Sequence, residues 1–171
     1  MFRKFFYLVL FMLIFSSMTL ASVFEHPKSL VEIVPNLPEL GDIKCKFEQE
    51  KSMPNSNLVI KSSGEFFFLK EKGVVFKTTF PIESVTSYDS GDYKQINDIV
   101  KAISNKKFDR LEAVFNFYFE QNGNKWVLGL KPKPSKQVSK YLKSIEIEGD
   151  NNISKMKIVT QNSVVTSIKF Y

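Results

Sequence analysis

The chain has 171 residues, the size of one ordinary domain, and its 43% hydrophobic and 25% charged residues exclude a disordered chain. Its formal net charge is +6, spread over scattered Lys with Arg only at Arg3 and Arg110. That distribution lacks the dense basic patch of a nucleic-acid binder, so no nucleic-acid partner is expected. Phe accounts for 17 residues, an excess that points to a large core or an apolar site.

At the N-terminus, Arg3 and Lys4 precede an unbroken apolar run from Phe5 to Phe15. Small residues follow: Ser16, Ser17, Thr19, Ala21 and Ser22, with Thr19 and Ala21 placed as −3 and −1 of a cleavage site. The pattern predicts a secretory signal peptide over residues 1–21 and a mature domain over 22–171. The run is shorter than the ~20 residues of a spanning helix, which argues against an anchor. Cleavage removes Arg3 and Lys4 and takes the net charge from +6 to +4. Cys45 is the sole cysteine, so no intramolecular disulfide is available even in an oxidising compartment, and it reads as a small buried hydrophobe.

Between Pro27 and Leu40, Leu30, Val31, Ile33 and Val34 make one or two helical turns that Pro35 and Pro38 stop. From Ile43 to Gln49 the period becomes two, with Ile43, Cys45 and Phe47 alternating with Lys44, Lys46 and Glu48, which predicts a half-buried strand. Leu58 to Ile60 begins a second strand and Glu65 to Leu69 continues it, with Gly64 marking a bulge or bend. Val74, Phe76, Thr78 and Phe80 alternate through a third, ended by Pro81, and Ile82 to Tyr88 forms a fourth. Asp89 to Asp92 reads as a turn leading to a short extended stretch from Tyr93 to Ile96.

Asp98 is the expected cap of a helix through Ile99, Val100 and Ile103, and Phe108, Leu111, Val114 and Phe115 repeat at helical spacing. Phe115, Phe117 and Phe119 then alternate into a strand, Asn122-Gly123 signals a two-residue hairpin, and Trp126, Leu128 and Leu130 carry the return. Leu142 to Glu148, Ile153 to Thr160 and Val164 to Phe170 supply the last strands. The chain reads as one mainly β domain with short helices.

An antiparallel sheet of this kind has one dry face that needs a cover. With few and short helices, a strongly curled sheet is expected to provide it. The residues expected to face inward are Phe47, Phe66, Phe68, Phe76, Phe80, Phe117, Phe119, Trp126, Leu128, Ile145, Ile147, Met156 and Ile168. Residue types alone leave two outcomes open: an apolar pocket under a helical lid, or a filled core.

Catalytic candidates are sparse. His26 is the single histidine and has no nucleophile placed beside it by sequence, so it reads as a surface residue. One His and one Cys make a transition-metal site improbable, Asp89, Gly91 and Asp92 read as a plain turn, and Glu146 and Glu148 share a strand face directed to water. No phosphate-binding glycine loop occurs. The expectation is a protein that is not an enzyme, with no cofactor and no metal.

Three stretches resemble the LolA family of outer-membrane lipoprotein carriers. The first is Phe47-Glu48-Gln49, of the form F-x-Q. The second is Ser63-Gly64-Glu65-Phe66, followed by Gly73-Val74-Val75-Phe76 and Phe80-Pro81. The third runs from Phe108-Asp109-Arg110-Leu111 through Trp126-Val127-Leu128-Gly129-Leu130-Lys131-Pro132 to Ile145-Glu146-Ile147-Glu148-Gly149, and is similar to a divergent subgroup. The resemblance implies a strongly curled antiparallel sheet forming an incomplete β-barrel with a helical lid. It implies a monomeric periplasmic carrier that binds acyl chains of lipoproteins, or another acylated lipid, and shuttles them from inner to outer membrane. An inner-membrane ABC transporter or other lipid exporter would load it, and an outer-membrane acceptor would unload it. The lining this implies is Phe47, Phe66, Phe68, Phe76, Phe80, Phe117, Phe119, Trp126, Leu128, Ile145 and Ile147. The chain departs from the family in the turn Lys70-Glu71-Lys72-Gly73, where the family's lid-locking Arg-Pro pair is missing. The alternative is a non-enzymatic structural or adaptor β-domain of an envelope complex with a solid core.

Overall fold

Period-two patterning sets the architecture. In the computed structural model, which describes residues 22–54, 56–70, 72–87 and 94–171, nine strands form one antiparallel sheet. The expected leader and the Asp89–Asp92 turn lie outside the described residues. The strands are β1 (Ile43–Ser52), β2 (Val59–Leu69), β3 (Gly73–Phe80), β4 (Ser84–Ser87), β5 (Phe115–Asn122), β6 (Lys125–Pro132), β7 (Leu142–Gly149), β8 (Ile153–Thr160) and β9 (Val165–Phe170). Their spatial order is β4-β3-β2-β1-β9-β8-β7-β6-β5, so the first and last strands of the chain pair at the middle.

The register aligns the apolar residues into rows. Phe47 pairs with Phe170, and Gln49 lies across from Ile168, which lies across from Met156, then Ile147, Leu128 and Phe119. A second row runs Lys51, Thr166, Ile158, Ile145, Leu130 and Phe117. The irregularity expected at Gly64 is a register shift between Ser63 and Gly64 inside one continuous strand. A Cβ on Gly64 would sit 2.0 Å from the Lys77 carbonyl oxygen, so only glycine permits this close approach of β2 and β3. The hairpin also forms, one residue late: Asn122 pairs with Lys125, so Gly123 (φ 60°) and Asn124 make the turn.

The helices are α1 (Leu30–Ile33), α2 (Lys94–Asn105) and α3 (Asp109–Glu112). Helix α2 covers the apolar face with Ile96, Ile99, Val100 and Ile103, a stripe at helical spacing. Asp98 is therefore an exposed position within the helix and not its cap, and Ile96 is helical and not extended. Two buried hydrogen bonds fix the helix. Asn97 Oδ1 accepts the Val74 N–H at 3.2 Å, and the Ser104 hydroxyl donates to the Leu40 carbonyl at 2.7 Å. Gly73 (φ 101°) lies so close that an added Cβ would stand 2.4 Å from Asn97 Oδ1. Phe115, expected to extend a helical repeat, already belongs to β5, and only Asp109–Glu112 are helical there.

The strong curl expected from the sequence is not found. The sheet is open, with β4 and β5 at its edges. Helix α2 and the segment carrying Ile33, Leu37 and Leu40 join the same core as the strands, so the dry face is covered by packing elements on it and not by closing the sheet. At the β5 edge, the N-terminal segment supplies a partner: the Lys28 N–H donates to the Phe117 carbonyl at 2.8 Å.

Candidate functional site

The inward face divides into two parts. Around β2, β3 and the first half of β1 it is filled by buried Phe rings. Phe47, Phe66, Phe68 and Phe76 are each no more than 2% exposed. The Phe76 ring stands edge-on to Phe47 and Phe66, at centroid distances of 5.1 and 5.0 Å. Phe66 also meets Phe170 at 4.7 Å, and Phe108 meets Phe117 at 5.8 Å. Phe119, Trp126, Leu128, Ile145 and Ile147 are buried in the same core.

Phe80 departs from its expected inward position and is 57% exposed. The register explains it. Thr78 pairs with Gly64 but Phe80 pairs with Ser63, and Ser63 lies across from the outward-facing Glu48. One extra residue on β3 turns the alternation over, so Phe80 follows the wet face.

The other part of the face is open. A cavity of about 390 Å³ lies at the end of the sheet where β1 and β8 finish and β7 and β9 begin. Its apolar lining is Ile96 from α2, Leu142 and Ile145 from β7, Ile158 from β8, and Val164 and Ile168 at β9. Its polar lining is Gln49, Lys51, Gln95, Tyr141, Thr160, Asn162 and Thr166. The size falls within the roughly 300–1,000 Å³ of small-ligand sites.

Local hydrogen bonds build the walls. Gln95 Nε2 donates to the Tyr141 hydroxyl at 2.9 Å and joins the start of α2 to the segment before β7. Gln161 Nε2 donates to the Ser139 and Leu142 carbonyls, and the Gln161 N–H to the Tyr141 carbonyl, which ties the β8–β9 turn to the same segment. Gln49 Nε2 donates to the Ser62 hydroxyl at 3.3 Å, and the Thr160 hydroxyl to Asn162 Oδ1. Lys51 is half-buried and is the one charged side chain among the described lining residues. Its ammonium makes no ion pair or hydrogen bond with another described residue.

Of the eleven residues expected from the sequence to line a lipid site, Ile145 alone lines this cavity; the other buried ones are core. Aromatic content left a core and a lining both open, and most of these rings belong to the buried cluster. The rest of the lining had a weaker signal in the sequence. Ile158 and Thr160 continue the inward period of Met156, as Thr166 does that of Ile168, but Thr on a half-buried strand is unremarkable by itself.

Chemical machinery is sparse in the described residues. His26 is exposed, and no group of three or more His, Cys, Asp or Glu residues among them is placed to hold a metal ion. Cys45 is half-buried on the inward face of β1, and burial pushes its thiol above the usual range. No described helix is long and apolar enough to cross a membrane. A second cleft, lined by Asp98, Lys101, Lys107, Asp109 and Arg110 among others, mixes both signs of charge and favours no ligand class.

Comparison with protein-family models and with curated proteins returns no match. The cavity's chemistry therefore carries the functional reading.

Proposed function

We propose that this chain is an exported, non-enzymatic carrier of a lipid acyl chain. The observation that carries this reading is the cavity beside α2, with an apolar floor of Ile96, Leu142, Ile145, Ile158, Val164 and Ile168. Burial of a hydrocarbon chain contributes about 0.8 kcal/mol per CH₂, so even a partly covered floor of this kind holds a chain with useful affinity while leaving an exit. Two features of the sequence support the reading: the leader pattern over residues 1–21 and the resemblance to LolA-like carriers. On this view α2 is the lid over the open sheet. A membrane exporter loads the protein in the periplasm, and an outer-membrane acceptor unloads it. The buried anchors at Asn97 and Ser104 favour a lid that stays seated while cargo enters at the sheet's end.

The test is displacement of a hydrophobic dye by fatty ligands, with mass spectrometry of lipid co-purified from the native envelope. The wild-type protein is expected to bind dye and release it to an acyl ligand. Ile158→Trp, which fills the cavity, is expected to abolish binding while circular dichroism stays unchanged. Dye binding that survives in Ile158→Trp, or no binding at all in the wild type, would sink the proposal.

A second reading is an adaptor with a solid core. Its support is a group of exposed apolar residues at one end of β2–β4: Leu58, Val59, Ile60, Phe80, Ile82 and Val85. It predicts a stable protein partner and no lipid.

A further inference from the structure

We infer that the cavity takes an anionic single-chain amphiphile, with its carboxylate or phosphate head on Lys51 and its tail across β9, β8 and β7. The inference rests on reading the cavity as an acyl site and adds what the head must be.

Position is the first argument. Inward positions on β1 are Ile43, Cys45, Phe47, Gln49 and Lys51, so Lys51 extends an otherwise uncharged row toward the open end of the sheet. It shares a cross-strand row with Thr166, Ile158 and Ile145. Three interstrand steps separate its strand from that of Ile145, about 14 Å. The row thus begins at an ammonium group and ends on a hydrocarbon surface, which is the polarity of an amphiphile.

Charge is the second argument. The described lining holds no carboxylate. The acids flanking Lys51 on its own strand face the other way and have partners there: Glu50 pairs with Lys61 at 2.9 Å, and Glu48 accepts from the Tyr171 hydroxyl at 2.9 Å. Gln49 and Thr166 stand beside Lys51 on the inward face as uncharged hydrogen-bonding groups. A half-buried ammonium over apolar surface gains from an anion that the cavity itself does not supply. Free inorganic anion would satisfy the charge and leave Ile158 and Ile145 uncovered; an alcohol or neutral ester would cover them and leave the charge unmet.

The experiment compares dodecanoate, dodecanol, dodecyl phosphate and inorganic phosphate as competitors of a hydrophobic dye, below micelle-forming concentrations. Wild-type protein is expected to bind dodecanoate and dodecyl phosphate about tenfold more tightly than dodecanol. Lys51→Met, which keeps the apolar stem, is expected to remove the difference in affinity between the two anions and dodecanol. Lys51→Arg is expected to keep the preference. Equal affinity of wild type for acid and alcohol would overturn the anionic head and leave the acyl site standing, as would a preference that persists in Lys51→Met overturn the role of Lys51. Competition by inorganic phosphate as strong as by dodecanoate would make this a free-anion site. Failure of every dodecyl compound to displace the dye removes the acyl reading and this inference with it.

Discussion

The two parts of the inward face are built from the same sheet but do different work. Around β2, β3 and the first half of β1, large buried rings pack edge-on beneath an anchored helix. Around the ends of β7–β9, the face is lined by Ile, Thr and Asn side chains and stays open. Size and shape explain the contrast. Phe47, Phe66 and Phe76 fill the first part with rings stacked edge-on, whereas the second carries the shorter Ile158, Thr160 and Thr166. One half is filled by rings, and the other leaves a cavity of about 390 Å³.

That division is open to attack by mutation. The largest effect is expected at Phe76, whose ring touches both Phe47 and Phe66. Phe76→Ala is expected to cost about 3–5 kcal/mol in urea denaturation. A loss near zero would mean that the Phe-lined half is not the structural core. Next comes Asn97→Ala, which leaves the buried Val74 N–H without its acceptor. It is expected to cost about 1–3 kcal/mol and to speed hydrogen exchange along α2. Unchanged exchange would show that Asn97 does not hold the helix to β3.

Ile158→Ala sharpens the comparison from the open side. Ile158 is half-buried and lines the cavity, so its stability cost is expected below about 2 kcal/mol, while dye affinity falls. A cost matching that of Phe76→Ala would erase the distinction between the halves. The smallest effect is expected on the wet face. Lys61 donates a hydrogen bond to Glu50 and holds its carboxyl below the usual range. A lowered folded-state pKa contributes stability above the unfolded value and loses it as pH falls through the folded one. Glu50→Gln is therefore expected to shift the denaturation midpoint slightly at neutral pH and not at all in strong acid. Both groups are exposed, so solvent screening keeps the shift small. A larger shift at low pH than at neutral pH would reverse the assigned sign.

Much of this arrangement was legible from residue order. Alternation located the strands, Gly64 marked the irregularity in β2, and Asn122-Gly123 lay within one residue of the observed turn. The errors share a cause. Phe80 followed the alternation on paper, but a single extra residue on β3 turned it outward. Asp98 had the chemistry of a cap, yet the apolar stripe starting at Ile96 carried the helix past it. The aromatic residues expected to line a cavity are mostly members of the buried cluster, and alternation alone does not distinguish a lining from a filling.

Composition and period by themselves determined that this chain makes one antiparallel sheet with a dry face rich in Phe, since side-chain direction along a strand is a local property. Only the tertiary structure decided how that face is covered and where the cover stops. Those outcomes depend on contacts between distant segments: Asn97 with Val74, Ser104 with Leu40, and Gln95 with Tyr141. The lone charge of Lys51 acquires meaning the same way, because the register that sets it in line with Thr166, Ile158 and Ile145 exists only once the first and last strands have paired.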